Sequence, residues 1–171
     1  SINMSGETKS PTDLFEMLND QKNTDVRWMV MELADDSKSI ITAGQGSDFP
    51  SFKASFDDAK VMWGAFCVHG IDERNSVESV RNKIVQINWV GESVKPMKRM
   101  KALQGAKLVV DIMPSIAVTV ECTTQEELDA KEIAIKLADC GGAHKPTFYE
   151  FGGEMKLSLK DIGKDVAGDG F

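Results

Sequence analysis

Apolar residues recur along this chain in two alternating rhythms, one helical and one extended. Leu14, Phe15, Met17 and Leu18 form one face of a helix opened by Ser10-Pro11-Thr12-Asp13. That start combines a capping serine, a proline at the first helical position and an acid behind it. Val26 to Leu33 reads as a strand, Ala34 to Lys38 as a polar turn, and Ser39 to Ala43 as a returning strand. Phe49, Phe52 and Phe56, spaced i, i+3, i+7, predict a short helix. Val61 to His69 is a nearly continuous apolar run, which predicts a central strand covered on both faces. Gly70 to Val80 reads as a polar loop, Lys83 to Val90 as a fourth strand, and Gly91-Glu92-Ser93 as its close. Lys95 to Met113 reads as helix, with Gly105 a weak point and Pro114 the stop. Ile116 to Cys122 is a fifth strand. Thr124-Gln125-Glu126-Glu127 is a capping box that opens a helix ending at Gly141-Gly142.

Two hairpins favour antiparallel pairing, and the long helix between the fourth and fifth strands permits a parallel crossover. The expected fold is therefore of the α/β (α+β) type, a mixed central sheet of five to six strands with helices on both faces. The domain is expected to span residues 10–146. Residues 1–9 read as an N-terminal extension, with Ser1 to Asn3 ahead of Met4 resembling vector-derived residues. After Gly142 the aliphatics thin out and glycines and charges alternate. Thr147 to Phe151 and Met155 to Leu159 have strand character, but the composition favours a flexible tail over 147–171, dispensable for folding.

Charge and cysteine usage narrow the function classes. The 171 residues carry a formal charge of −7, which argues against bulk nucleic-acid binding. Three cysteines, at 67, 122 and 140, form no C-x-x-C pair and suit neither a disulfide framework nor a zinc site. They are expected to be buried or half-buried free thiols in a reducing cytosol. No stretch approaches the roughly 18 apolar residues of a membrane span, and no secretory signal opens the chain. No cofactor is expected.

Against the acidic background, residues 93–110 hold five bases, Lys95, Lys98, Arg99, Lys101 and Lys107, and no acid. At about 100° per residue Lys98 and Lys101 lie close together, while Met97, Met100 and Leu103 mark an apolar stripe. The pattern suits a basic helix that docks on an acidic partner. It equally suits a solvated face opposite a core stripe, and charge alone leaves both open. Trp89 is expected to plug the core, and Lys83, at a strand start, to be exposed. Gly44-Gln45-Gly46 lacks the spacing of a phosphate loop. His69 and His144 are too isolated for a metal site. Cys67 and His69 share a strand face, but no orienting carboxylate or oxyanion arrangement is legible, so no enzyme is expected.

Three separated segments resemble one known family. Lys83-Ile84-Val85-Gln86-Ile87-Asn88-Trp89-Val90-Gly91-Glu92-Ser93-Val94 is similar to the K-x-x-x-I-x-W-[IV]-G-E-x-V segment of coactosins and of the ADF-homology domains of drebrin-like proteins. Ala43 to Phe49 resembles the coactosin turn after the second strand, and Leu137 to Ala143 its final helix running into Gly-Gly. The resemblance covers about residues 10–146.

It implies an ADF-homology fold and an actin-binding surface centred on the long helix, at Lys95, Pro96, Met97, Lys98, Arg99, Met100, Lys101 and Lys107. It also implies a filament contact at Lys83, which matches a strand-four lysine of coactosins. The protein is expected to be cytoplasmic and cytoskeletal, a monomer that binds the side of actin filaments, with weak binding to monomeric actin. Alternatives are a cofilin-like severing or monomer-binding protein, and an adaptor that turns the same lysines on phosphoinositides. Two departures stand out. Cofilin-type helices begin with two bases two apart, where this chain has Lys98 and Met100. The segment Gly70 to Asn82 is also longer than in coactosins.

Overall fold

The computed structural model describes residues 9–23, 25–142 and 145–164. The expectations for residues 1–8, His144 and the last seven positions lie outside these. The first described element is α1 (Pro11–Asn19), whose first turn is held by the Asp13 amide donating to Ser10 Oγ at 3.2 Å. β1 (Trp28–Leu33) and β2 (Ile40–Gly46) follow as an antiparallel hairpin, then the short helix α2 (Phe49–Ala54) capped by Asp48. β3 (Val61–Arg74) and β4 (Val77–Val90) form the long hairpin at the centre. α3 (Pro96–Arg99) and α4 (Lys101–Ile112) carry the chain across to β5 (Val118–Cys122), which lies parallel to β4. A 3-10 turn (Gln125–Glu127) bearing the capping box, α5 (Ala130–Cys140), β6 (Phe148–Glu150) and β7 (Lys156–Ser158) complete the order.

The result is a seven-stranded mixed sheet, ordered β2-β1-β3-β4-β5, with β6 paired to β3 and β7 paired to β6. Alternation along the central strands divides the core in two. Trp28, Phe66, Val85, Ile87 and Trp89 pack with α2 and α5 on one face. Met29, Met31, Trp63, Cys67 and Ile84 pack with α1 and α4 on the other. This double cover is why the third strand reads as an unbroken apolar run. Trp89 plugs the core as expected, and its indole N–H donates to Asp57 O at 2.8 Å.

The sheet has seven strands where five to six were expected, and three further expectations change. The segment 70–82 is not a loop: β3 and β4 run on as paired strands to a two-residue turn at Asn75-Ser76. Both turn residues have positive φ, 52° and 66°, the geometry that matches the twist of a tight hairpin. Its charged residues hid the alternation. Cys140 is exposed, while Cys67 and Cys122 are buried as expected.

The third change is the tail. Residues 147–164 are part of the fold, with Tyr149, Phe151, Leu159 and Ile162 all buried in the main core. β1 and β6 occupy successive stretches of the same β3 edge, facing Trp63–Phe66 and His69–Ile71 respectively. Arg27 fills the gap between them. Only 6% exposed, it donates through Nε and Nη2 to Cys67 O and through Nη2 to Glu150 O. Its Nη1 meets Glu150 Oε1 at 2.7 Å, and His69 Nδ1 lies 3.3 Å from Oε2. Burial pushes the Glu150 carboxyl up, but hydrogen bonds from His69 and Arg27, the Arg27 charge and the Gly152 amide outweigh it. The net effect holds Glu150 at about 2.

Breaking this pair strands a buried guanidinium. Glu150→Ala should therefore cost about 3–5 kcal/mol in chemical denaturation at neutral pH. Because the folded pKa lies below the ordinary value of 4.5, the stabilisation is full above that value and fades as pH falls toward about 2. The stability gap between wild type and Glu150→Gln should narrow across that window.

Helix α4 seats on the sheet through Gly105. A Cβ there would stand 2.0 Å from Trp63 Cη2, and Trp63 is itself buried. Gly105→Ala should lower stability by about 1–3 kcal/mol through overpacking, despite alanine's better helix propensity. A thermal melt checks this, and an unchanged or raised midpoint would refute the seating.

Candidate functional site

The basic segment begins where β4 ends. Lys95 precedes Pro96 in extended conformation, and the proline fixes the first helical residue. The expected single helix over Lys95–Met113 is instead two pieces, α3 and α4. Met100 lies between them and keeps helical dihedrals, φ −62° and ψ −27°. Arg99 turns back, its Nε donating to Val94 O at 3.1 Å and tying the entry of the helix to the strand end.

Which face of this helix is buried decides between the two readings of its pattern. The inward face is made by Gly105, Val109 and Met113, with Ile112 and Leu108 partly covered. The apolar stripe of the sequence points the other way. Met97 is 82% exposed, Met100 75% and Leu103 76%, and Val110 joins them at 66%. Within α4, Leu103, Lys107 and Val110 fall inside an arc of roughly 60° at 3.6 residues per turn. Lys107 is thus set among the exposed apolar groups. Lys98 and Lys101 flank the stripe and line an open groove with Glu32, Asp35, Lys60 and Trp63. Lys60 Nζ bridges Glu32 Oε1 at 3.2 Å. Among the described residues no acid pairs with Lys95, Lys98, Lys101 or Lys107. The surface is an apolar ridge edged by unpaired cations, a form suited to an acidic protein partner with an apolar cleft.

The structure brings together Lys95, Pro96, Met97, Lys98, Arg99, Met100, Lys101 and Lys107, all exposed on α3, α4 or their entry. Lys83 is not with them. It is half-buried rather than exposed, with its aliphatic stem against Gly70 and Pro146. Strand alternation puts it on the face of Val85, Ile87 and Trp89, opposite α4. It also lies five residues, roughly 16 Å, along β4 from Asn88, the partner of Trp63 under α4. Leu103 and Val110 were not among the expected site residues. Their i, i+7 spacing is visible in the sequence, but such spacing ordinarily marks a core stripe.

The Cys67–His69 pairing acquires a carboxylate neighbour in Glu150 but gains no nucleophile. Cys67 is 1% exposed, and burial pushes its thiol up to about 11 against the lowering effect of Arg27. Among the described residues no cluster suits a metal ion, and no helix is long and apolar enough to cross a membrane.

Comparison with known proteins adds the family. Residues 7–138 match the model of the cofilin/tropomyosin-type actin-binding proteins. An actin-binding protein of Maudiozyma exigua is 24% identical over 71% of this chain, which spans only 19% of that longer relative. Coactosin of Entamoeba histolytica is 27% identical over 72% of this chain and 82% of its own length. In structure, human coactosin-like protein superposes with a TM-score of 0.65 at 22% identity, covering 84% of this chain and 96% of the other. With three quarters of its length matched, the chain belongs to the family of cofilin/tropomyosin-type actin-binding proteins, built on the ADF-homology fold that coactosins share.

Proposed function

We propose that this protein binds the side of actin filaments through α3 and α4 and does so without catalysis, as the resemblance to coactosins suggests. One observation carries the reading: the apolar stripe of Met97, Met100, Leu103 and Val110 faces solvent between unpaired lysines, on the helix that leads from β4 to β5. A core stripe would have faced the sheet. Apolar groups at the centre supply most of the affinity, and flanking charges steer encounter and fix orientation. On a chain of net charge −7 the local reversal also orients the molecule as it approaches an acidic surface. Lys83, at the foot of the β3–β4 hairpin, serves as a separate contact on the far face of the sheet.

Replacing Lys98, Lys101 and Lys107 together with Glu should weaken co-sedimentation with filaments at least about tenfold. Stability should shift by within about 0.5 kcal/mol per substitution. Arg99 is spared because its bond to Val94 O is structural. Wild-type pelleting should also decline with salt, as the Debye length shortens from about 10 Å at 0.1 M to about 3 Å at 1 M. Lys83→Ala should weaken pelleting less than the triple variant. A triple variant that pellets like wild type places the interface elsewhere, and a wild type that never pellets rejects filament binding.

The same helix lacks the two-apart bases of the cofilin type, because Met100 stands at the second place. A side binder that does not prefer a strained filament state leaves filament length unchanged. Single labelled filaments watched at saturating protein should therefore break no faster than in buffer. An increase in breaks per unit length would favour the severing alternative.

A further inference from the structure

The exposed ridge contains two methionines, and methionine is the apolar side chain that mild oxidants make polar. Their setting separates them from the rest. Met29, Met31, Met62 and Met113 are at most 3% exposed, and Met17 and Met155 are half-buried. Met97 and Met100 are 82% and 75% exposed, three residues apart, at the head of the ridge. Among the described residues, then, the two thioethers most open to a soluble oxidant both lie in the docking surface.

We propose that Met97 and Met100 form a paired oxidation site through which hydrogen peroxide weakens the docking of this helix on actin. The inference rests on the actin-binding reading above. In the reaction the thioether sulfur attacks one peroxide oxygen and the O–O bond breaks. That oxygen stays on sulfur as the sulfoxide, and its proton passes to the other oxygen, which leaves as water. Sulfur is oxidised by two electrons and peroxide is reduced by two. Both side chains already face water, so their sulfoxides disturb no packing in the free protein. Docking is different, because it buries a strong dipole where the partner offers apolar surface, and a buried polar group without a partner is unfavourable. Oxidation therefore separates binding from stability: the fold is kept and the affinity falls. Reduction of the sulfoxides by thiol-dependent methionine sulfoxide reductases restores the surface.

The test treats the full chain with hydrogen peroxide, removes the oxidant with catalase, and maps oxidised positions by peptide mass spectrometry. Co-sedimentation then uses untreated filaments, beside a melting curve. The expected result is sulfoxide first at positions 97 and 100 and an unchanged melting midpoint. Half-saturation should rise about tenfold, as loss of part of two buried methionine contacts would give. Treatment with both sulfoxide reductases should reverse it. The variant Met97→Leu with Met100→Leu keeps the ridge apolar but has no thioether there, so, compared with itself before and after treatment, it should lose no affinity to peroxide. It retains the exposed Cys140, so equal loss of binding in this variant would assign the effect to another group and overturn the proposal. Unchanged binding with both sulfoxides in place would overturn it too, as would oxidation of the buried methionines ahead of this pair. A wild type that fails to pellet before oxidation would reject the actin reading itself, and this regulation with it.

Discussion

Arg27 is a charged side chain held almost wholly out of water, and the sheet is arranged around making that tolerable. A lone guanidinium at 6% exposure would be prohibitive, so β3 and β6 both contribute groups to it. β3 offers the Cys67 carbonyl, β6 the Glu150 carboxylate and carbonyl, and the Phe66 ring lies 5.8 Å below the guanidinium. Because β1 and β6 meet end to end along one edge of β3, the junction exposes carbonyls that no ladder partner can reach. The arginine satisfies them. The C-terminal strands are thereby fastened to the N-terminal hairpin, and Phe151 packs edge-to-face with Phe49 at 5.5 Å and tilted beside Phe66 at 6.1 Å.

With both faces of the sheet committed to core, the large apolar residues left exposed among the described residues include Ile41 and Val77 apart from the ridge, and on α3 and α4 four of them run together as that ridge. Its exposure follows from how the helix is seated. Gly105 lets α4 sink onto Trp63, so a narrow strip of Val109 and Met113 suffices to anchor it. The remaining apolar positions are then free to point outward. The sheet and the ridge are in this sense one design, since tight seating on one side releases the other side for recognition.

Much of this was legible in the sequence, and the failures have physical reasons. Ser10-Pro11 marks the start of α1 because capping chemistry is local, whereas the Thr124–Glu127 box, expected to open the last helix, caps a 3-10 turn and α5 begins after it, capped by Asp129. The central strand announced itself through double burial. The β3–β4 extension did not, because Asp72, Glu73, Arg74 and Glu78 erase the hydrophobic alternation and the pairing is carried by backbone bonds. The C-terminal strands were hidden by brevity: three residues each, with burial carried by Tyr149 and Phe151 rather than by aliphatics. Their anchor is a contact across 123 residues, which no local pattern reports. At the site, the residue types and the helix were readable, but the direction of the Met97–Leu103 stripe was not. That required knowing that Gly105 lets the helix sit close on Trp63, with Val109 and Met113 completing the inward face.

The ridge belongs to the connection between the two parallel strands β4 and β5. Such a connection exists as a shaped object only after its two flanking strands have found each other. Cut out as a peptide, α4 would have 12 residues, no side-chain cap at its start and a glycine in the middle, too little to hold a helix in water. The surface is therefore not portable. It cannot be grafted or mimicked by its own sequence alone, and any partner that recognises it is reading the assembled sheet beneath as much as the side chains on top.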